Sequence, residues 1–245
     1  MGQSPMPHIP VALFDLPPSM IRWLAPLLFL SLLGSGCSKD APGDGSANAG
    51  AAANAGDGAA ASVAAAKAPQ PLPEVVRVRL ETEAGPIALA LDARRAPITT
   101  ANFVRYVDEH RFDGTVFYRA ARTKNKEKEG FIQGGIQRNY RRMLPPIAHE
   151  PTSKTGLLHE PGAISMAYRE PGSAMGDFFI VTHKMPSMDA KPGDPGYAVF
   201  GKVVDGMATV RKILASPTVA GGGGGAMKGQ IMAKPVRIVK AERLD

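Results

Sequence analysis

Between Ser38 and about Glu74 the chain is built almost entirely of Ala, Gly, Ser, Asn and Pro, with no aromatic residue and almost no large aliphatic one. Such a stretch cannot bury enough apolar area to offset the entropy lost on ordering, so it reads as a flexible tether. It confines the folded unit to Val75–Asp245, a length of about 170 residues that suffices for one hydrophobic core. Residues 1–37 form a separate leader.

The folded segment carries 26 Lys+Arg and 17 Asp+Glu, a balance of 26 − 17 = +9, against +7 for all 245 residues. A basic balance can serve nucleic acid or an anionic surface. Here the cations are scattered (Arg77, Arg105, Lys154, Arg211, Lys240) and cluster only at Lys124–Lys128 and Arg138–Arg142. Both clusters read as solvated loops, and no nucleic-acid partner is expected. Metal chemistry finds no ligand set either: His149, Glu150 and His159 lie in a proline-rich stretch without cysteines. Ser165 sits inside an apolar run and lacks the glycine-flanked elbow of hydrolases, and His183 reads as a surface or rim residue.

The single cysteine, Cys37, excludes an intramolecular disulfide. Ahead of it stand a basic start (Met20-Ile-Arg22), an apolar run (Trp23–Leu33) and small residues (Gly34-Ser-Gly). The run is shorter than the ~20 residues that span a bilayer, so it reads as a secretory signal. Small residues ending at a cysteine, then a tether, resemble the bacterial lipoprotein pattern, although Gly34 stands where that family usually has Leu. The resemblance implies lipidation at Cys37 and a protein anchored in the bacterial cell envelope on the periplasmic side. Ser38 in place of a retention aspartate favours the outer membrane over the inner. Prolines at 5, 7, 10, 17 and 18 suit no signal, which points to Met20 as the true start.

Within the folded segment, Val75–Leu80 and Ile87–Leu91 alternate around Gly85 and read as a β-hairpin. Pro97 opens a stretch whose apolar residues recur at three- and four-residue spacing to Val107, an amphipathic helix with proline in its first turn. Further strands are expected at Val116–Ala120, Gly130–Gly135, Ala163–Ala167, Asp177–Thr182, Ala198–Val203 and Pro235–Arg243, with a second helix at Gly206–Leu214 and a flexible loop at Gly221–Gly225. Many short strands with two helices predict a mainly β fold, a closed antiparallel barrel capped by two α-helices.

Five segments, Asp113–Arg119, Gln133-Gly-Gly135, Gly162–Ala167, Asp177-Phe-Phe-Ile180 and Val199–Val203, occur in the order and approximate spacing of the cyclophilin family. From about Val78 to Leu244 the chain resembles these peptidyl-prolyl isomerases. The resemblance implies an enzyme that turns X-Pro bonds of proline-containing polypeptides between cis and trans, as a monomer, with no cofactor and no metal. Arg119 matches the family's catalytic arginine. Phe179 matches the aromatic floor of the proline pocket, Phe131 and Met188 its apolar walls, and Gln133 the amide that contacts substrate backbone and holds the arginine.

The chemistry such a pocket must do is set by the amide. Rotation about C–N faces ~18–20 kcal/mol because nitrogen shares its lone pair with the carbonyl, and X-Pro exchange takes tens of seconds or longer. A permanently protonated guanidinium aimed at the prolyl nitrogen draws that lone pair back as the bond twists.

Several positions depart from the family pattern. Asp177 stands where glutamine is common, Tyr197 near a histidine and Ser187 near a tryptophan. The link between Arg119 and Gln133 is longer and more charged than usual, so a different pocket rim is expected. An isomerase of exported polypeptides is the reading these features favour. The alternative is a weakly active module that binds proline segments as a chaperone.

Overall fold

The computed structural model describes residues 72–137 and 139–244; Cys37, the leader and the tether up to residue 71 lie outside them. The strands are β1 (Val75–Thr82), β2 (Gly85–Asp92), β3 (Val116–Thr123), β4 (Lys126–Gly135), β5 (Ala163–Met166), β6 (Asp177–Val181), β7 (Ala198–Asp205) and β8 (Ile231–Leu244). They close into a barrel in the order β1-β2-β7-β5-β6-β4-β3-β8, and every pair is antiparallel. The helices are α1 (Pro97–Asp108), a single turn α2 (Thr152–Thr155) and α3 (Met207–Leu214). Only α2 escapes the sequence pattern, since four residues are too few to show a period.

Alternation fixes which faces are buried. On β1, Val76, Val78 and Leu80 point inward; on β2, Ile87, Leu89 and Leu91 do the same. The interior is completed by an aromatic cluster. Phe103 of α1 lies 4.8 Å from Phe112, 5.3 Å from Phe178 and 5.2 Å from Phe200, and Phe117 meets Phe178 edge-on at 5.7 Å. Each such ring is worth about 1.5–3 kcal/mol in removal from water. Val210, Ile213 and Leu214 of α3 enter the same core, as does Leu72, three residues ahead of β1.

Helix α1 begins without a side-chain cap, because Ala96 occupies the capping position. Glu150, 1% exposed, supplies the cap from a distant loop. Its carboxylate accepts from the Ile98 N–H (3.2 Å), the Thr99 N–H (2.7 Å) and the Thr99 hydroxyl (2.6 Å). The negative charge faces the positive end of the helix.

Two glycines allow the close backbone approach expected at the end of β4. A Cβ on Gly134 would lie 2.7 Å from Phe117 Cδ1, and one on Gly135, at φ +129°, 2.2 Å from the Gly176 carbonyl oxygen. The charged link between β3 and β4 is a β-hairpin in place of a loop. Arg122 pairs with Gly130 and Thr123 with Lys126, and Asn125 turns the chain at φ 63°. Arg122 turns partly away from solvent: its guanidinium donates to the Leu214 and Ser216 carbonyls at 2.7 and 3.0 Å, closing the C-terminal end of α3.

Candidate active site

The site is built on the outer face of β3, β4, β6 and β5, and a bulge creates it. Along β3, Phe117 pairs with Gly134 and Arg119 with Gln133, so Tyr118 is an extra residue. Regular alternation would send Arg119 to the side of the buried Phe117. The bulge instead puts Tyr118 and Arg119 together outside and returns Ala120 to the core. Gln133 then bridges them: its Oε1 accepts from Arg119 Nη1 at 2.9 Å and its Nε2 donates to the Tyr118 hydroxyl at 2.7 Å. The amide is thereby oriented by its neighbours.

Register carries the apolar part. Gln133 faces Phe179 across β4–β6, and Phe179 faces Ser165 across β6–β5. Phe179, 3% exposed, packs with Ala163, Val181 and Val199 in a small cluster separate from the barrel core; Phe131, Met188 and Tyr197 pack against it. Phe131 lies 5.4 Å from Phe179, and Tyr197 meets Phe179 edge-on at 5.3 Å. The Arg119 guanidinium carbon sits 4.8 Å from the Phe131 ring centroid, within cation–π range. Partial burial lowers the Arg119 pKa from its ordinary value, with the Tyr118 and Tyr197 phenols opposing the shift. The guanidinium nonetheless stays charged at any physiological pH.

Arg119, Phe131, Gln133, Phe179, Met188 and Tyr197 are therefore brought together as the sequence places them. Asp177 shares the face, but its Oδ1 accepts from the Gln137 N–H at 3.0 Å, toward the loop after β4. Ser187 is exposed in the short 3₁₀ turn Pro186–Met188. His183 is partly exposed and accepts from the Gly130 N–H through Nδ1 at 3.1 Å.

Sequence reasoning misses the support behind this face. His159 and Ser165 are fully buried, and Asp189 follows Met188. The imidazole lies parallel to Phe179, 3° between planes and 5.8 Å between centroids. Its Nδ1 is 2.6 Å from Asp189 Oδ1, and its Nε2 is 3.1 Å from Ser165 Oγ. A carboxylate only accepts, so Nδ1 carries the proton and Nε2 accepts from the serine in the neutral ring. Burial lowers the His159 pKa, and Asp189 opposes that shift. This Ser–His–Asp chain has no opening to solvent at its serine or histidine, so it braces the floor and has no nucleophilic role. Also unanticipated are Gln230 and Ala226, which hold the other two nitrogens of Arg119.

The comparisons with known proteins bear on the family and the fold. Residues 77–243 match the model of the family described as cyclophilin type peptidyl-prolyl cis-trans isomerase/CLD. The chain is 40% identical over 141 residues to peptidyl-prolyl cis-trans isomerase A of Dickeya dadantii (strain 3937), covering 56% of this chain and 70% of that protein. It is 32% identical over 166 residues to a peptidyl-prolyl cis-trans isomerase of Acinetobacter baylyi, covering 67% and 84%. In fold it is similar to a cyclophilin type peptidyl-prolyl cis-trans isomerase of Cryptosporidium parvum, with a TM-score of 0.55 at 20% identity over 70% of this chain and 98% of that one. That protein has also been crystallised in the presence of the dipeptide Ala-Pro. A closed eight-stranded barrel and a family match spanning residues 77–243 together define a proline isomerase. The chain belongs to the cyclophilin family, and it is a peptidyl-prolyl cis-trans isomerase.

Proposed function

We propose that Arg119 is the catalytic group, and that the enzyme serves exported polypeptides from a lipid anchor at Cys37. The observation that carries the catalytic assignment is the clamp on Arg119. Its acceptors are the Gln133 amide, the Gln230 amide and the Ala226 carbonyl, all neutral, so the positive charge is oriented without being cancelled. A prolyl ring seated on Phe179, between Phe131 and Met188, lies beside that charge. As the C–N bond twists, nitrogen regains its lone pair and accepts from the guanidinium. The planar ground state offers no such acceptor, so the interaction favours the twisted state selectively. Gln133 and Tyr197 flank the peptide backbone, and Asp177 lies further along the same face.

Arg119→Ala should lower kcat/KM by about ten- to a hundredfold, the worth of one charge-assisted hydrogen bond. Circular dichroism should be unchanged. Wild-type activity in Arg119→Ala would refute the assignment. A protease-coupled assay on a proline tetrapeptide reads both results.

The envelope reading rests on the order of charge, apolar run and small residues ahead of Cys37, and on the alanine- and glycine-rich tether behind it. A membrane-held enzyme needs such a tether to reach its clients. In the folded domain each barrel strand is paired on both sides, so no open edge invites self-association, which supports the reading of the enzyme as a monomer. Cys37→Ala should leave an unprocessed precursor in cells. A soluble mature protein with a free thiol at Cys37 would refute the anchor.

A further inference from the structure

The loop that follows Pro217 contains five consecutive glycines, Gly221–Gly225, and ends against the candidate arginine. It is folded back on itself. The Gly229 N–H donates to the Gly222 carbonyl at 2.8 Å, and the Gln230 N–H to the Met227 carbonyl at 3.0 Å. Gly223 sits at φ +79°, where a Cβ would lie 2.8 Å from the Met227 oxygen, so this closure depends on glycine. The loop docks on β3 through the main chain: the Ala120 N–H donates to the Gln230 carbonyl at 2.9 Å, and Ile231 pairs with Arg119.

With its backbone fixed in this way, the Gln230 side chain reaches Arg119. Its Oε1 accepts from Arg119 Nε at 2.8 Å, and the Ala226 carbonyl accepts from Nη2 at 3.3 Å. A guanidinium has five N–H groups. Nε has one, and Gln230 takes it; Gln133 and Ala226 take one each from Nη1 and Nη2, which leaves 5 − 3 = 2 for a substrate. Gln133, with only the longer 3.3 Å contact to Ala226 beside it, would leave the guanidinium plane more freedom to turn about its Cδ–Nε bond. An acceptor on Nε stops that rotation.

We infer that Gln230 is a positioning residue for the isomerisation, and that the glycine-rich loop is a working part of the site because it carries this acceptor. The inference rests on the catalytic role given above to Arg119. Gln230 touches the arginine and acts through it. Its loss therefore impairs the twisted state, in which the direction of the guanidinium matters, more than the ground-state seat of the proline on Phe179.

The test uses the folded chain and a proline tetrapeptide. Gln230→Ala should lower kcat by about tenfold with KM within about twofold, the worth of roughly one hydrogen bond to a charged group. Gln230→Met keeps the length and bulk without the oxygen and should fall equally. The melting temperature of both should stay near wild type, because the backbone bonds of residue 230 are untouched. In ¹⁵N-resolved NMR the Arg119 Nε–H should exchange with water faster in both variants. Wild-type kcat in Gln230→Ala, or restoration by Gln230→Met, would overturn the inference, the latter by showing that packing alone is at work. Unchanged Nε–H exchange would overturn it equally. Should Arg119→Ala keep wild-type activity, the catalytic role of Arg119 fails; should that variant be inactive while Gln230→Ala is unaffected, the positioning role alone fails.

Discussion

Replacing His159 by alanine should damage both the stability of the domain and the proline seat. The imidazole is fully buried, stacks behind Phe179 and joins Ser165 to Asp189. Without it the Ser165 hydroxyl, also fully buried, loses its partner, which costs about 1–3 kcal/mol. Asp189 keeps the His159 backbone N–H at 3.0 Å, so its oxygen stays half satisfied. The missing ring leaves a cavity; truncating a larger aromatic costs ~3–5 kcal/mol, and about 2 is reasonable for a smaller polar ring whose burial was itself unfavourable. The sum is about 3–5 kcal/mol. In a domain of about 170 residues that lowers the melting temperature by roughly 10 °C. Thermal denaturation followed by circular dichroism measures this. At 10 °C, where the variant stays folded, KM for a proline tetrapeptide should rise several-fold because the floor has lost its backing. A stability loss under about 1 kcal/mol would refute the structural argument. A full loss with unchanged KM would refute the claim that His159 supports the pocket.

The same histidine gives a pH dependence. Its folded pKa lies below the ordinary imidazole value of about 6.5, so between the two the unfolded chain binds more protons, and stability rises with pH. Stability is complete above about pH 6.5 and is lost as pH falls through the folded pKa. Asp189→Asn, which removes the carboxylate opposing the shift, should extend that loss to lower pH, and urea midpoints between pH 4 and 8 would show it. Glu150→Ala should cost about 2–4 kcal/mol, because two backbone N–H groups and a hydroxyl at the start of α1 lose their acceptor. Glu150→Gln, which retains one acceptor oxygen, should fall between. A urea midpoint for Glu150→Ala within error of wild type would show that α1 needs no cap from outside.

The parts of the fold that repeat locally are legible in the sequence. Alternation around Gly85 yields the β1–β2 hairpin, and apolar spacing after Pro97 yields α1. The last strand is legible only from Pro235 onward, because a proline without a donor reads as a strand boundary. In the structure β8 begins at Ile231 and Pro235 falls where the pairing with β3 slips, between Phe117–Val236 and Arg119–Ile231. The charged run after Thr123 looks like a loop because nothing in it alternates, yet it completes a hairpin. At the site, the residues that form the pocket surface stand in recognisable motifs. Those that support it do not: Gln230 is 111 positions from Arg119, and Asp189 is 30 from His159. Only barrel closure brings such pairs together.

The bulge at Tyr118 explains why the motif around Arg119 has to be read as a unit. An arginine on a regular strand beside buried Phe117 and Ala120 would face either the core, where its charge could not be solvated, or open water, where it would be one more surface cation. With the extra residue, Tyr118 and Arg119 emerge side by side, and one glutamine can bind both. The guanidinium is then partly withdrawn from water, which lowers its pKa, but its partners are amides and a carbonyl. A carboxylate in any of those places would hold the side chain as firmly while offsetting its charge. Neutral acceptors hold the geometry and leave the field of the cation directed at the pocket, where reduced screening makes it stronger than at an open surface. On the catalytic role proposed for Arg119, this is the condition under which an arginine distinguishes a pyramidal prolyl nitrogen from a planar one, and on this chain three neutral oxygen acceptors from two separate segments supply it.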